Sequence, residues 1–192
     1  MTATAVSPAK RWTVEEMLEL PNWEDYELID GELREDVQDM DSAETIVYVC
    51  IALGVHIRET RAGRIASEQQ QYRIFHNREL VKKPDVSFFR RERAPVGYVG
   101  VCELAPDLVV EVVSRSNSFD DVWDKARDWL AAGVEIVWVV LPKSREVIVF
   151  TRAEPTRVLA PTNTIDGGSV LPGFSSLVAG LFPPHVDYPA AP

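Results

Sequence analysis

The sequence predicts an α/β domain in which a mixed central β-sheet is flanked by helices. Three observations carry this expectation: two segments with apolar residues at helical spacing, several short apolar runs of strand length, and the alternation of the two kinds along the chain. At 192 residues the length suits one domain with a substantial core. No internal repeat or linker divides it.

The elements follow in order. Residues 1–12 carry Ala, Thr, Ser and Pro and read as a flexible tail, with the domain expected over 13–182 and a Pro- and Ala-rich tail over 183–192. Thr13-Val14-Glu15-Glu16 is a capping-box start, and the short helix it opens should end at Pro21. Tyr26 to Leu33 reads as a strand, a tight Asp30-Gly31 turn and the start of a second strand. From Ala43 to Thr60, Ile46, Val47, Cys50, Leu53, Gly54 and Ile57 recur at helical spacing, with Gly63 as the stop. Residues 64–75 read as extended. Pro84 to Arg90 is a strand, and Leu104 to Ser114 contains the next. Asn117 or Ser118 can cap a helix running to Ala132, stopped by Gly133. Val134–Leu141 and Glu146–Thr151 form a hairpin, and the remainder reads as short strands with a closing turn.

Near-neutral mean hydropathy describes a globular chain that is neither disordered nor membrane-embedded. No apolar run approaches the roughly 20 residues that span a bilayer, and no N-terminal hydrophobic stretch suggests a signal peptide. Cys50 and Cys102 lie far apart in apolar segments, as small buried residues of a reducing cytoplasm would. Three histidines and two cysteines fall at no zinc-ligand spacing. The net charge of −10 argues against an all-round nucleic-acid coat, since such binding depends on Lys and Arg displacing counterions. A local basic patch can still grip phosphates. Arg90, Arg91 and Arg93, with Lys82 and Lys83 before them, are either such a patch or a solvated surface run.

The chemistry lies in two carboxylates. Pro84-Asp85 opens one strand, and Glu111 interrupts the otherwise apolar run Leu108 to Val113. Burying an ionised carboxylate costs several kcal/mol unless it is compensated. A divalent cation shared with Asp85 would do so, as would a buried ion pair or bonds from backbone amides. Strand alternation puts Asp85, Ser87 and Phe89 on one side, and Asp107, Val109, Glu111 and Val113 on one face. If the strands are neighbours, Asp85, Glu111, a backbone carbonyl (Val112 is the nearest) and waters suit Mg²⁺, with Mn²⁺ as substitute. On the helix after them, Phe119, Val122, Trp123, Ala126, Trp129 and Leu130 fill an arc of roughly 120°, with Lys125 about 40° beyond its edge and Asp121, Asp124 and Asp128 on the far side. Lys125 can direct its ammonium to the end of the Glu111 strand or snorkel to solvent.

Several segments resemble the Uma-two family of restriction-endonuclease-like proteins: Tyr26 to Leu33, Pro84-Asp85-Val86, Ala105 to Ser114, Lys125, Ala132-Gly133-Val134 with Trp138, and Leu171-Pro172-Gly173-Phe174. The resemblance covers roughly residues 13–182 and implies a nuclease of the PD-(D/E)XK superfamily, with a restriction-endonuclease-like fold. It matches Asp85 and Glu111 to the metal-binding acids. The superfamily lysine would stand two residues after the glutamate, where this chain has Val113, and Lys125 stands at the family's alternative place on the following helix. Glu27 matches an auxiliary acidic position, the other reading being an exposed strand residue. Gln71 either lines the site or makes a cross-strand polar pair. Where the family often carries a histidine near the start of its long helix, this chain reads Ser42 to Thr45. The implied activity is Mg²⁺-dependent hydrolysis of phosphodiester bonds in nucleic acid, DNA foremost. The alternatives are a catalytically silent binding or dimerisation module, or a hydrolase of RNA or another phosphorylated substrate. Cutting both strands of a duplex favours a homodimer, with exposed apolar residues of the C-terminal turn region as the expected interface.

Overall fold

Six strands form one mixed sheet in the order β3-β4-β5-β6-β7-β8, where β3 is Gly63–Ser67, β4 Val86–Arg90, β5 Leu108–Val112, β6 Ile136–Leu141, β7 Glu146–Thr151 and β8 Arg157–Leu159. The computed structural model describes residues 10–35, 38–97, 99–114 and 119–185. Only β5 and β6 run parallel, joined by the crossover helix α3 (Phe119–Ala131); every other pair in the sheet is antiparallel. The expected helix caps Asn117 and Ser118 lie outside the described residues.

Alternating strand residues feed two cores. Val86, Phe88, Leu108, Val110, Val112 and Trp138 face helix α2 (Met40–Thr60), which buries Ile46, Val49, Leu53 and Ile57 against them. Phe89, Val109, Val137 and Val139 face α3, which buries Ala126 and Trp129. The period of two along each strand thus sorts its side chains between two helical layers.

Helix α2 extends further than the apolar spacing indicated. Asp39 caps it by accepting the Ser42 amide at 3.0 Å, so it starts at Met40 and not Ala43. It ends at Arg61 in the left-handed conformation (φ 56°), before Gly63. Gly63 instead sits in β3, where a Cβ would fall 1.9 Å from the Phe89 carbonyl oxygen, so close strand approach demands glycine there. With 21 residues and a hydropathy of 1.4 in its most apolar window, α2 is long and apolar enough to cross a bilayer by length and composition, unlike the expectation from apolar runs. One of its arcs nevertheless belongs to the core.

A second unit packs at the sheet end nearest the site. Helix α1 (Val14–Leu18) starts with the expected capping box, Thr13 and Glu16 exchanging bonds of 3.0 and 3.1 Å. Strands β1 (Tyr26–Ile29) and β2 (Glu32–Glu35) form the expected hairpin, turning at Asp30 (φ 46°) and Gly31 (φ 88°). Val14, Met17, Leu28 and Val81 make its small core, and Leu28 exchanges backbone bonds with Val81 at 2.8 and 2.9 Å. The fold takes in residues before Thr13: the Trp12 amide donates to Gly31 at 2.8 Å and its ring packs on that core. At the other end, β9 (Thr164–Gly167) and β10 (Leu171–Leu177) form a hairpin whose Ile165, Leu171 and Phe174 join the α2 core. The C-terminal turn region therefore buries most of its apolar residues, leaving Leu177 as its exposed large one.

Candidate active site

Strands β4 and β5 are neighbours, with Val86 opposite Val110 and Ser87 opposite Val109. One residue further along this register, Asp85 stands beside Glu111, on the α3 side of the sheet. Both are buried, and both line a cavity of about 10 Å³ with Gln38, Val112, Val113, Val122 and Lys125. That is the size of one water or one ion. The structure therefore brings together Asp85, Glu111, Val112 and Lys125. Val113 also borders an open cleft of about 740 Å³, whose rim carries Asp41, Glu44, Lys143 and Arg145.

Asp85 is held on both oxygens. Gln38 donates to Oδ1 at 2.9 Å, and the Val112 amide donates to Oδ2 at 2.5 Å. The Val113 amide, by contrast, donates to Val140 of β6 at 2.9 Å. Successive strand residues bond to opposite neighbours, so the Val112 carbonyl faces the β4 side together with its amide. Pro84, next to Asp85, has no N–H to offer that carbonyl.

Glu111 accepts the Trp129 indole N–H on Oε1 at 2.7 Å and pairs with Lys125 through Oε2 at 3.5 Å. Burial pushes its carboxyl up; the Lys125 ammonium and the indole pull down, the neighbouring Glu27 charge pushes up again, and the net lies above the usual carboxylate range. Glu27 is buried, which excludes the reading of an exposed strand residue. Its Oε2 lies 2.9 Å from Lys125, and its Oε1 accepts the Lys83 amide at 2.8 Å. Burial works against its charge, yet Lys125, the Lys83 amide and Lys82 outweigh that and hold the carboxyl below its usual range. Lys125 thus joins the N-terminal hairpin to the sheet and does not snorkel away.

Gln71 is buried but does not line the cavity. Its side-chain amide donates to the carbonyls of Trp23, Glu24 and Tyr26, at 2.8 Å for the last. It braces the backbone just before Glu27, so neither a site-lining role nor a cross-strand pair describes it. Within the basic run Arg91 is exposed, as a solvated run would have it, whereas Arg90, Arg93, Lys82 and Lys83 are engaged by the protein itself. Asp107 is fully buried, accepts the Arg90 amide at 2.9 Å and pairs with Arg93 at 2.5 Å, while Arg90 reaches Glu135 at 2.7 Å. Lys82 is buried and pairs with Asp128 at 3.0 Å, and Arg78 reaches the same carboxylate at 2.9 Å. Asp128 is consequently not on a purely solvent-facing side of α3.

Sequence reasoning missed Gln38, Lys82 and Trp129 as neighbours of the acids. The Trp129 position on the apolar arc was the one available signal, since a buried indole N–H needs an acceptor. Among the described residues no group of three or more His, Cys, Asp or Glu side chains is placed to hold a metal ion. The donor set is two carboxylates and a carbonyl, which suits a hard cation that keeps waters and does not suit zinc.

A family model described as "Putative restriction endonuclease" (Uma2) matches residues 14–180. The chain belongs to the Uma2 family. A crystal structure of "a putative nuclease belonging to DUF820" from Anabaena variabilis ATCC 29413 superposes with a TM-score of 0.79 at 21% identity, covering 89% of this chain and 97% of that one. This Uma2 chain therefore has the restriction-endonuclease-like fold expected from its motifs. The DrdV–DNA complex superposes with a TM-score of 0.34 at 12% identity, over 62% of this chain and 82% of that one, too low to bear on the fold. No curated protein matches the chain. Membership of Uma2 supports a nuclease.

Proposed function

We propose that this protein is a Mg²⁺-dependent nuclease that hydrolyses phosphodiester bonds in DNA. The observation that supports it is the meeting of Asp85, Glu111 and Lys125 around one ion-sized cavity. Asp85, Glu111 and the Val112 carbonyl would hold the ion, and Mn²⁺ would substitute for it. When bound, the ion polarises the phosphodiester and stabilises the negative charge that grows on it. The chain's own groups do the rest. Trp129 fixes the Glu111 rotamer, and Gln38 with the Val112 amide fixes that of Asp85. Glu27 anchors Lys125, whose ammonium can donate a hydrogen bond to the attacking water or to the phosphoryl oxygens in the transition state. Val113 and Val122 line the cavity and exclude bulk water from it.

The test is cleavage of plasmid and short duplex DNA by the wild type, Asp85→Ala and Lys125→Ala in Mg²⁺ or Mn²⁺. The wild type should cut, with each variant slower by about a hundredfold or more. A wild type indistinguishable from both variants would refute the reading, and cleavage of RNA with DNA left intact would move the substrate.

One observation favours a catalytically silent binding module instead. Arg90 and Arg93 are already engaged by Asp107 and Glu135, in a chain of net charge −10. Calorimetric titration with Mn²⁺ separates the two, because the silent module would take up no metal at millimolar concentration.

A further inference from the structure

We propose that the solvent face of α2 is a two-fold interface, on which a second copy of this chain docks with its own α2 antiparallel. This is independent of the nuclease reading. Helix α2 carries two apolar arcs. One is the core arc of Ile46, Val49, Leu53 and Ile57. The other lies opposite: Met40, Val47, Ile51 and Val55 are 79%, 54%, 55% and 43% exposed. Large apolar side chains gathered on one exposed helix face mark an interaction surface more than chance scatter does.

The pattern on that face says what covers it. With about 100° per residue, Val47 and Val55 lie about 40° either side of Ile51, Glu44 and Arg58 about 20° either side, and Tyr48 and Gly54 about 60° either side. Apart from Tyr48 and Gly54 on its flanks, the face is thus symmetric about Ile51 in size and antisymmetric in charge. In an antiparallel pair crossing at Ile51, positions equally far before and after it meet across the axis. Ile51 then meets Ile51, and Val47 meets Val55. Glu44 meets Arg58 at both ends, and neither makes an ion pair inside the chain among the described residues. A parallel arrangement would instead set Glu44 against Glu44 and Arg58 against Arg58.

A shallow groove of about 510 Å³ between this face and Ser67-Glu68 adds Ala43 and Cys50 to the apolar border. A single helix face buries less than the roughly 800 Å² per partner of a standard interface, so the dimer should be of micromolar strength.

Sedimentation equilibrium of the full chain over the micromolar range tests this. The wild type should dimerise, and Ile51→Glu should weaken the dimer by at least about tenfold. Ile51 is exposed, so circular dichroism should report an unchanged fold. The register has its own test. Glu44→Arg and Arg58→Glu each place like charges at both ends and should each weaken self-association by about tenfold. An equimolar mixture of the two pairs opposite charges at both ends and should recover the dimer. A monomeric wild type at high micromolar loading, or a dimer indifferent to Ile51→Glu, overturns the proposal. Failure of the mixture to recover overturns the antiparallel register. Flotation of a monomeric wild type with phosphatidylcholine vesicles would assign the stripe to a lipid surface instead.

Discussion

The Lys125 ammonium lies 2.9 Å from Glu27 and 3.5 Å from Glu111. The lysine at the proposed site is therefore anchored more closely to the N-terminal hairpin than to the acid on the sheet. Its position depends on residues nearly a hundred positions away.

In the proposed mechanism Glu27 positions Lys125 and is not itself a metal ligand. Glu27→Gln should slow DNA cleavage by about tenfold or more, because Lys125 loses its nearer anchor. Mn²⁺ affinity measured by calorimetry should barely change, whereas Asp85→Ala should abolish it. A loss of affinity comparable with Asp85→Ala would show Glu27 to be a ligand.

Lys125→Met leaves two buried carboxylates without their cation. Urea denaturation should show a loss of about 3–5 kcal/mol, as for any buried pair broken from one side. Mn²⁺ should restore part of that stability, since it binds the folded state alone.

The two acids have opposite linkage to pH. The Glu27 carboxyl lies below its usual range when folded, so its contribution is present above the ordinary glutamate value and lost as pH falls through the folded one. The Glu111 carboxyl is raised, so its contribution is complete below the ordinary value and lost as pH rises through the folded one. Glu111→Gln should therefore raise the metal-free Tm at neutral pH, by about 2–4 °C for a chain of this size. The same variant should lose the Mn²⁺-induced rise in Tm. A lowered metal-free Tm would contradict the sign.

Trp129→Phe removes the indole N–H that Glu111 accepts at 2.7 Å. A carboxylate deprived of a donor in a buried site is harder to ionise. The acid limb of the pH–rate profile should move to higher pH, with the rate at alkaline pH changed less. An unmoved limb would mean that Glu111 does not govern it.

Asp107→Asn separates stability from chemistry on one strand. The variant weakens the Arg90 and Arg93 clamp and should cost about 2–3 kcal/mol in urea denaturation. Mn²⁺ affinity should stay the same, because Glu111 lies four strand residues away, about 13 Å.

The linear order of residues was enough for the architecture and for singling out Asp85 and Glu111 as candidates. Short apolar runs named the strands, the Thr13 capping box and the Asp30-Gly31 turn set local boundaries, and an acid inside the apolar run at Glu111 stood out without any neighbour. Those signals are local: each depends on backbone geometry within a few residues. What the tertiary structure alone decided was pairing over distance. It turned Lys82 from a surface residue into the buried partner of Asp128, gave Arg90 and Arg93 to Asp107, and sent Gln71 to the backbone before Glu27. It also left a symmetric apolar stripe on α2 uncovered. A long polar side chain can reach many partners, and burial selects among them only once the layers have closed around it.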